Sequence, residues 1–224
     1  MKKLANPESP NSLATKTRLK NFNIFKGLIS NLSKPLRILD IGGTEQYWEK
    51  MNFSKEHGVE IILLNLSECE VNYPTFKSIA GDAKDLSVFK DKEFGIVFSH
   101  SVIEHVGGFE DQLRMADEIK RVGERYFIQT PNYYFPIEPH FLFPMFQFFP
   151  LFLKIWLISH FNIGWIGRTP DKEKASETAN SIRLLSEKEL HELFPDATIY
   201  RETFLGLTKS FLVYGGWDTA SKIE

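Results

Sequence analysis

The stretch Arg37-Ile38-Leu39-Asp40-Ile41-Gly42-Gly43 constrains the fold more than any other part of the chain. It reads as a short buried strand that carries an acid and ends in a glycine turn. Glycine has no Cβ and tolerates unusual dihedrals, so such a turn brings backbone N–H groups close to a ligand. A turn built for a pyrophosphate spells Gly-x-Gly-x-x-Gly. Here Gly42 is followed by Gly43, Thr44, Glu45, Gln46 and Tyr47, so that pattern fails. Asp40, two residues before Gly42, would repel a pyrophosphate and suits a cationic ligand. A nicotinamide dehydrogenase is disfavoured on both counts.

Further pieces follow in order. Residues 60–65 form a second apolar run ending at Asn65, about 20 residues past the turn, where a ribose-binding group usually sits. Residues 78–83 make a third, with Asp82 at its end. Residues 94–99 make a fourth, leading into His100-Ser101-Val102-Ile103-Glu104-His105, and residues 125–132 a fifth. In this order the segments resemble the class I S-adenosylmethionine-dependent methyltransferases, with Asp40-Ile41-Gly42-Gly43 as the first motif. The resemblance runs over residues 36–215. It implies a three-layer, Rossmann-like α/β sandwich whose seven-stranded, mostly parallel sheet has an antiparallel last strand. Residues 197–200 and 211–214, separated by Gly206, are the segments that would make its final hairpin.

Composition agrees with one such domain. The chain has 224 residues, 42% hydrophobic and 25% charged, enough for a single sizeable core. Short Ile-, Val-, Leu- and Phe-rich runs alternate with helical patterns, as expected for a parallel sheet covered on both faces. The net charge of −2 and the scattered Lys and Arg give no nucleic-acid footprint. The single Cys69 excludes an intrachain disulfide framework and fits a reducing compartment. With no apolar run after Met1-Lys2-Lys3, a cytoplasmic location is expected, on the inner face of a membrane if the chain is recruited to one.

Residues 1–35 read as a loose polar start followed by a helix bearing Leu19, Phe22, Phe25, Leu28, Ile29 and Leu32 on one stripe. Phe109, Leu113, Ala116, Ile119 and Val122 form a second stripe, stopped by Gly123. Ser186-x-x-Glu189 reads as a capping box. Residues 133–168, after the fifth strand, are exceptional for their density of Phe, Leu, Ile and Trp without a regular period. Pro144, Pro150, Lys154 and His160 interrupt them before the about 18 apolar residues that a spanning helix needs. A hydrophobic helical lid over the substrate, an interfacial membrane-contacting element and a true span are the three readings, the lid foremost.

The family resemblance also implies a cofactor and a set of site residues. S-adenosyl-L-methionine would be the cofactor, with Asp40, Gly42 and Gly43 holding its methionine part. Asn65 and Leu66 would lie at the ribose, where the family usually has an acid, and Asn65 lacks that charge. Thr44 and Gln46 stand where a third glycine is expected. Asp82 and Ala83 would take the adenine, and Ser99, His100 and Ser101 would close over the cofactor. His105, His140 and Glu138 are the candidates for acid–base work on the acceptor. The histidines show no metal-ligand spacing along the chain, so no metal is expected. Neither a Pro-Cys nor an Asp-Pro-Pro-Tyr motif follows the fourth strand, which removes the likeness to DNA-base methyltransferases. Thr130-Pro131-Asn132 resembles a variant seen in enzymes acting on small molecules or on glycan and lipid precursors. The expected function is methyl transfer to such an acceptor; a non-catalytic binding protein on the same fold, recruited to a membrane by its aromatic insert, is the alternative.

Overall fold

In a computed structural model, residues 12–217 are described; the expectation of a loose start falls on residues 1–11, outside that range. Helix α1 (Leu13–Ile29) begins where Ser12 accepts a hydrogen bond from the Thr15 N–H. Its buried side chains are Asn21, Phe22, Phe25 and Leu28. Strand β1 (Leu36–Ile41), helix α2 (Glu45–Lys50), β2 (Val59–Asn65), β3 (Phe76–Ala80) and β4 (Phe94–His100) follow. A single 3₁₀ turn (Ile103–His105) leads to α3 (Phe109–Val122) and then to β5 (Gly123–Pro131).

The sheet order is β3-β2-β1-β4-β5-β9-β8, with β8 (Thr198–Phe204) and β9 (Leu207–Gly215) forming the last hairpin. β9 runs antiparallel to both neighbours and the other pairings are parallel, so six strands share one direction. Strand period sorts the side chains: Leu36, Ile38, Ile61 and Leu63 pack with α1 and α2, while Leu39, Ile41, Ile62 and Leu64 pack with α3 and α6 (Glu187–Leu193). Two apolar layers thus cover the sheet, and the C-terminal ends of β1 to β5 are left to carry the site. Helix α6 opens with the reciprocal Ser186–Glu189 capping box.

The insert is a small third core. A two-stranded ribbon, β6 (Ile137–Glu138) and β7 (Phe143–Pro144), is followed by a 3₁₀ turn at Phe146–Phe148 and by α4 (Leu151–His160). Phe141, Phe146, Ile158 and Ile163 are buried there together with Ala175 and Ala179 of α5 (Lys172–Asn180). The unit therefore extends past residue 168. No helix among the described residues is long and apolar enough to cross a membrane, which removes the spanning reading.

Candidate functional site

Asp40 is the last but one residue of β1 and lies on the α1/α2 side of the sheet. Its carboxylate is fully buried; one oxygen accepts from Trp48 Nε1 at 2.6 Å and the other has no partner. Burial pushes the Asp40 carboxyl up to about 8, against the lowering effect of the Trp48 bond. Gly42 has φ +72° and donates its N–H to the Leu64 carbonyl. An added Cβ at Gly43 would fall onto the Asp40 carboxylate, and one at Gly42 onto the Val102 side chain. The turn therefore requires both glycines. Thr44, in the place of the absent third glycine, is the N-cap of α2 and accepts from the Tyr47 N–H.

A cleft of about 170 Å³ opens over this turn, lined by Asp40, Gly42, Gly43, Tyr47 and His100 together with Arg18 of α1. His100 lies against Tyr47 with ring centroids 5.2 Å apart, and burial drives its imidazole down to about 3, keeping it neutral. Burial also raises the Tyr47 phenol. Arg18 and Thr15 were not legible as site residues, because the polar side of an amphipathic helix carries no sign of what it faces.

The remaining cofactor candidates sit at the same sheet edge with varied surroundings. Asn65 ends β2 and donates its amide to the Gly43 carbonyl at 3.0 Å, tying the two strand ends together. Leu66 is exposed and Ala83 packs in the core. Asp82 follows β3 in a turn, where it accepts from the Lys84 N–H at 2.9 Å and pairs with the Lys84 ammonium at 3.6 Å. Ser99 is buried and donates to the Ile41 carbonyl, and Ser101, at φ +57°, donates to the Gln129 side chain.

The acid–base candidates come together beyond β4 and β5. Glu104 and Glu138 are both buried. His140 Nδ1 lies 2.7 Å from Glu138, and its Nε2 lies 3.9 Å from Glu104. The other Glu104 oxygen accepts from Thr130 Oγ1 at 3.0 Å, and the second Glu138 oxygen accepts from the Phe141 N–H. The His105 and His140 rings meet edge to face at 4.7 Å. Burial pushes Glu104 up to about 7. Burial alone would lower His140, but the Glu138 bond and the two carboxylate charges raise it overall. His105 is lowered, first by burial and then by His140, while a bond to the Ser181 backbone acts the other way. Glu104 was missed as a site residue, since a fully buried carboxylate on an apolar stretch is indistinguishable in sequence from a capping acid.

Glu138 also lines a second cleft of about 740 Å³ between the insert, α3 and α6, together with Tyr133, Tyr134, Phe141, Phe146, Lys154 and Arg183.

A model described as a methyltransferase domain matches residues 39–125. Two uncharacterized Mycobacterium tuberculosis proteins, Rv1509 and MT1557, are each 39% identical to this chain over 56 residues, a stretch that takes up 25% of this chain and 19% of theirs. Among solved structures, an S-adenosylmethionine-dependent methyltransferase of Aquifex aeolicus aligns over 95% of both chains with a TM-score of 0.53 and 14% identity. The CurJ carbon methyltransferase gives 0.55 at 14% identity over 91% of this chain and 55% of its own. The N-terminal domain of EvdMO1, solved with S-adenosylhomocysteine and D-fucose present, gives 0.53 at 13% over 89% and 82%. At such identities the three likenesses establish the fold.

Proposed function

We propose, from the premise that this chain carries a class I S-adenosylmethionine-dependent methyltransferase domain, that it transfers a methyl group to an acceptor seated between the glycine turn and the aromatic insert. The observation that carries the reading is the Asp40–Gly43 cradle. A buried carboxylate oxygen without a partner, above a turn that admits no Cβ, fits a ligand that brings a cationic donor close to the backbone.

The bound cofactor would supply a methyl carbon already activated by a sulfonium, leaving orientation and electrostatics to the protein. Asp40 would accept from the cationic part. Arg18 would face its carboxylate, for which a guanidinium is the natural partner. A neutral His100 adds no repulsion toward the sulfonium. On the acceptor side, Glu104, His105, His140 and Glu138 would lower the cost of removing a proton from the nucleophile. Val102 touches Gly42 and stands two residues before Glu104, so the cradle and this cluster occupy one continuous stretch of the sheet edge. Titration calorimetry with S-adenosylhomocysteine tests the reading. One molecule should bind per chain, and Arg18→Ala should weaken binding by about 1.5–3 kcal/mol, as for loss of a hydrogen bond to a charged group. Absence of binding would leave the non-catalytic alternative standing.

The acceptor we favour has an apolar body, as a lipid-linked precursor does. Helix α4 and the loop after it turn Phe152 (73% exposed), Trp156 (48%), Phe161 (51%) and Trp165 (46%) outward. Apolar rings exposed in such number mark a contact surface, and Trp in particular favours a membrane interface. The protein should co-sediment with liposomes, and Phe152→Ser with Trp156→Ser should abolish this. Equal sedimentation of the double variant would remove the lipid-linked acceptor from the reading.

A further inference from the structure

We infer that Glu104, His105 and His140 form a binding site for one divalent transition-metal ion. Its catalytic meaning, though not its existence, rests on the methyl-transfer reading above. One ligand atom from each of the three residues lies within 4.8 Å of the other two. Glu104 and His105 are adjacent on the 3₁₀ turn after β4, whereas His140 arrives from the loop after β6, so the fold alone assembles the set. Donors about 2.1 Å from a common ion can stand at most about 4.2 Å apart. The Glu104 to His140 Nε2 distance of 3.9 Å already satisfies this, and the His105 nitrogen lies within 4.8 Å of both, so a shift of well under an ångström closes the set.

Three further features are those of a ligand set. Glu104 Oε1 is fully buried and has no hydrogen-bond partner, an arrangement that costs free energy unless something occupies the space before it. His140 has Nδ1 committed to the Glu138 carboxylate at 2.7 Å, leaving Nε2 for an ion. That is how metal-bound imidazoles are usually oriented. Among the described residues, the ion-pair partner of Glu104 is His140, and no Lys or Arg lies within ion-pair distance of it.

Two imidazoles and one carboxylate favour Zn²⁺, Mn²⁺ or Fe²⁺ over Ca²⁺, which prefers an all-oxygen shell. Three protein ligands leave coordination positions open. An acceptor hydroxyl bound there would lose its proton to water more readily, becoming the oxygen nucleophile that methyl transfer needs.

The test uses tag-free protein stripped with a chelator. Calorimetry with Zn²⁺, and the loss of free Mn²⁺ signal in electron paramagnetic resonance, should each report one ion per chain. Glu104→Gln and His105→Gln should each weaken binding by about tenfold or more. Because His105 keeps part of its surface open to solvent, its variant reports on the site even if Glu104→Gln fails to fold, which circular dichroism would reveal. No saturable binding of either ion, or wild-type affinity in His105→Gln, would overturn the inference. S-adenosylhomocysteine binding measured on the same samples separates the two readings: an ion without the nucleoside keeps the site and removes its catalytic role, and the nucleoside without an ion does the reverse.

Discussion

S-adenosylhomocysteine should bind more tightly as pH rises from about 6 to 8, by at most about tenfold per unit, and then level off. The cause is Asp40, whose carboxyl burial raises from 3.8 to about 8 in the ligand-free fold. Near neutrality it is protonated there, whereas the unfolded chain has it ionised. A ligand bringing an ammonium or sulfonium favours the ionised form, so binding must expel a proton over the whole interval below the folded value. The same shift has a signed consequence for stability. With the folded value above the unfolded one, the fold binds the extra proton; its contribution is complete below 3.8 and is lost as pH rises to about 8. Calorimetry in two buffers of different ionisation enthalpy measures the released proton directly. Asp40→Asn should remove both the release and the slope. A variant that keeps the wild-type slope would show that the proton comes from elsewhere and that Asp40 does not face the cation.

The first motif and the sheet were legible because they depend on local rules. A run of apolar residues, an acid and two glycines can hardly do anything but end a buried strand, and the Ser186–Glu189 spacing specifies its own hydrogen bonds. Strand ends were less secure. The third strand covers Phe76–Ala80, starting two residues and ending three residues earlier than the pattern suggests, because Gly81 and Asp82 belong to the turn that closes on Asp85. Asn65, expected at the ribose, also donates its amide to the Gly43 carbonyl, an interaction between strand ends that no single-strand pattern reports. The insert lacked a period because it is a separate core made of short pieces. Its closing helix α5 is mostly polar and offers only Ala175 and Ala179 to the interior. The Glu104–His105–His140 set was invisible to ligand-spacing arguments for the same reason: a spacing rule sees one element, and these residues meet only after the sheet has formed.

That separateness makes the second large effect predictable. Phe146→Ala should destabilise the insert by about 3–5 kcal/mol, the usual cost of removing a buried phenyl ring. Phe146 is 1% exposed and stacks on Phe141 with centroids 4.0 Å apart, in a core that includes neither of the two layers covering the sheet. The aromatic wall of the larger cleft would be lost with it, since Phe141 and Phe146 both line that cleft. The Asp40–Gly43 cradle lies outside this core, so S-adenosylhomocysteine affinity should stay within about twofold, as for sites without shared partners. Hydrogen exchange should then show α4 and α5 opening at lower free energy than β1, β2 and β4. Trp156 and Trp165 lie in the insert, whereas Trp48 and Trp217 pack in the layer with α1 and α2, so replacing the four one at a time by Phe assigns each fluorescence transition to its core. Simultaneous loss of nucleoside binding and insert protection would mean that the cofactor site needs the insert to form. A division of labour between cofactor on the sheet edge and acceptor on the insert would then be wrong.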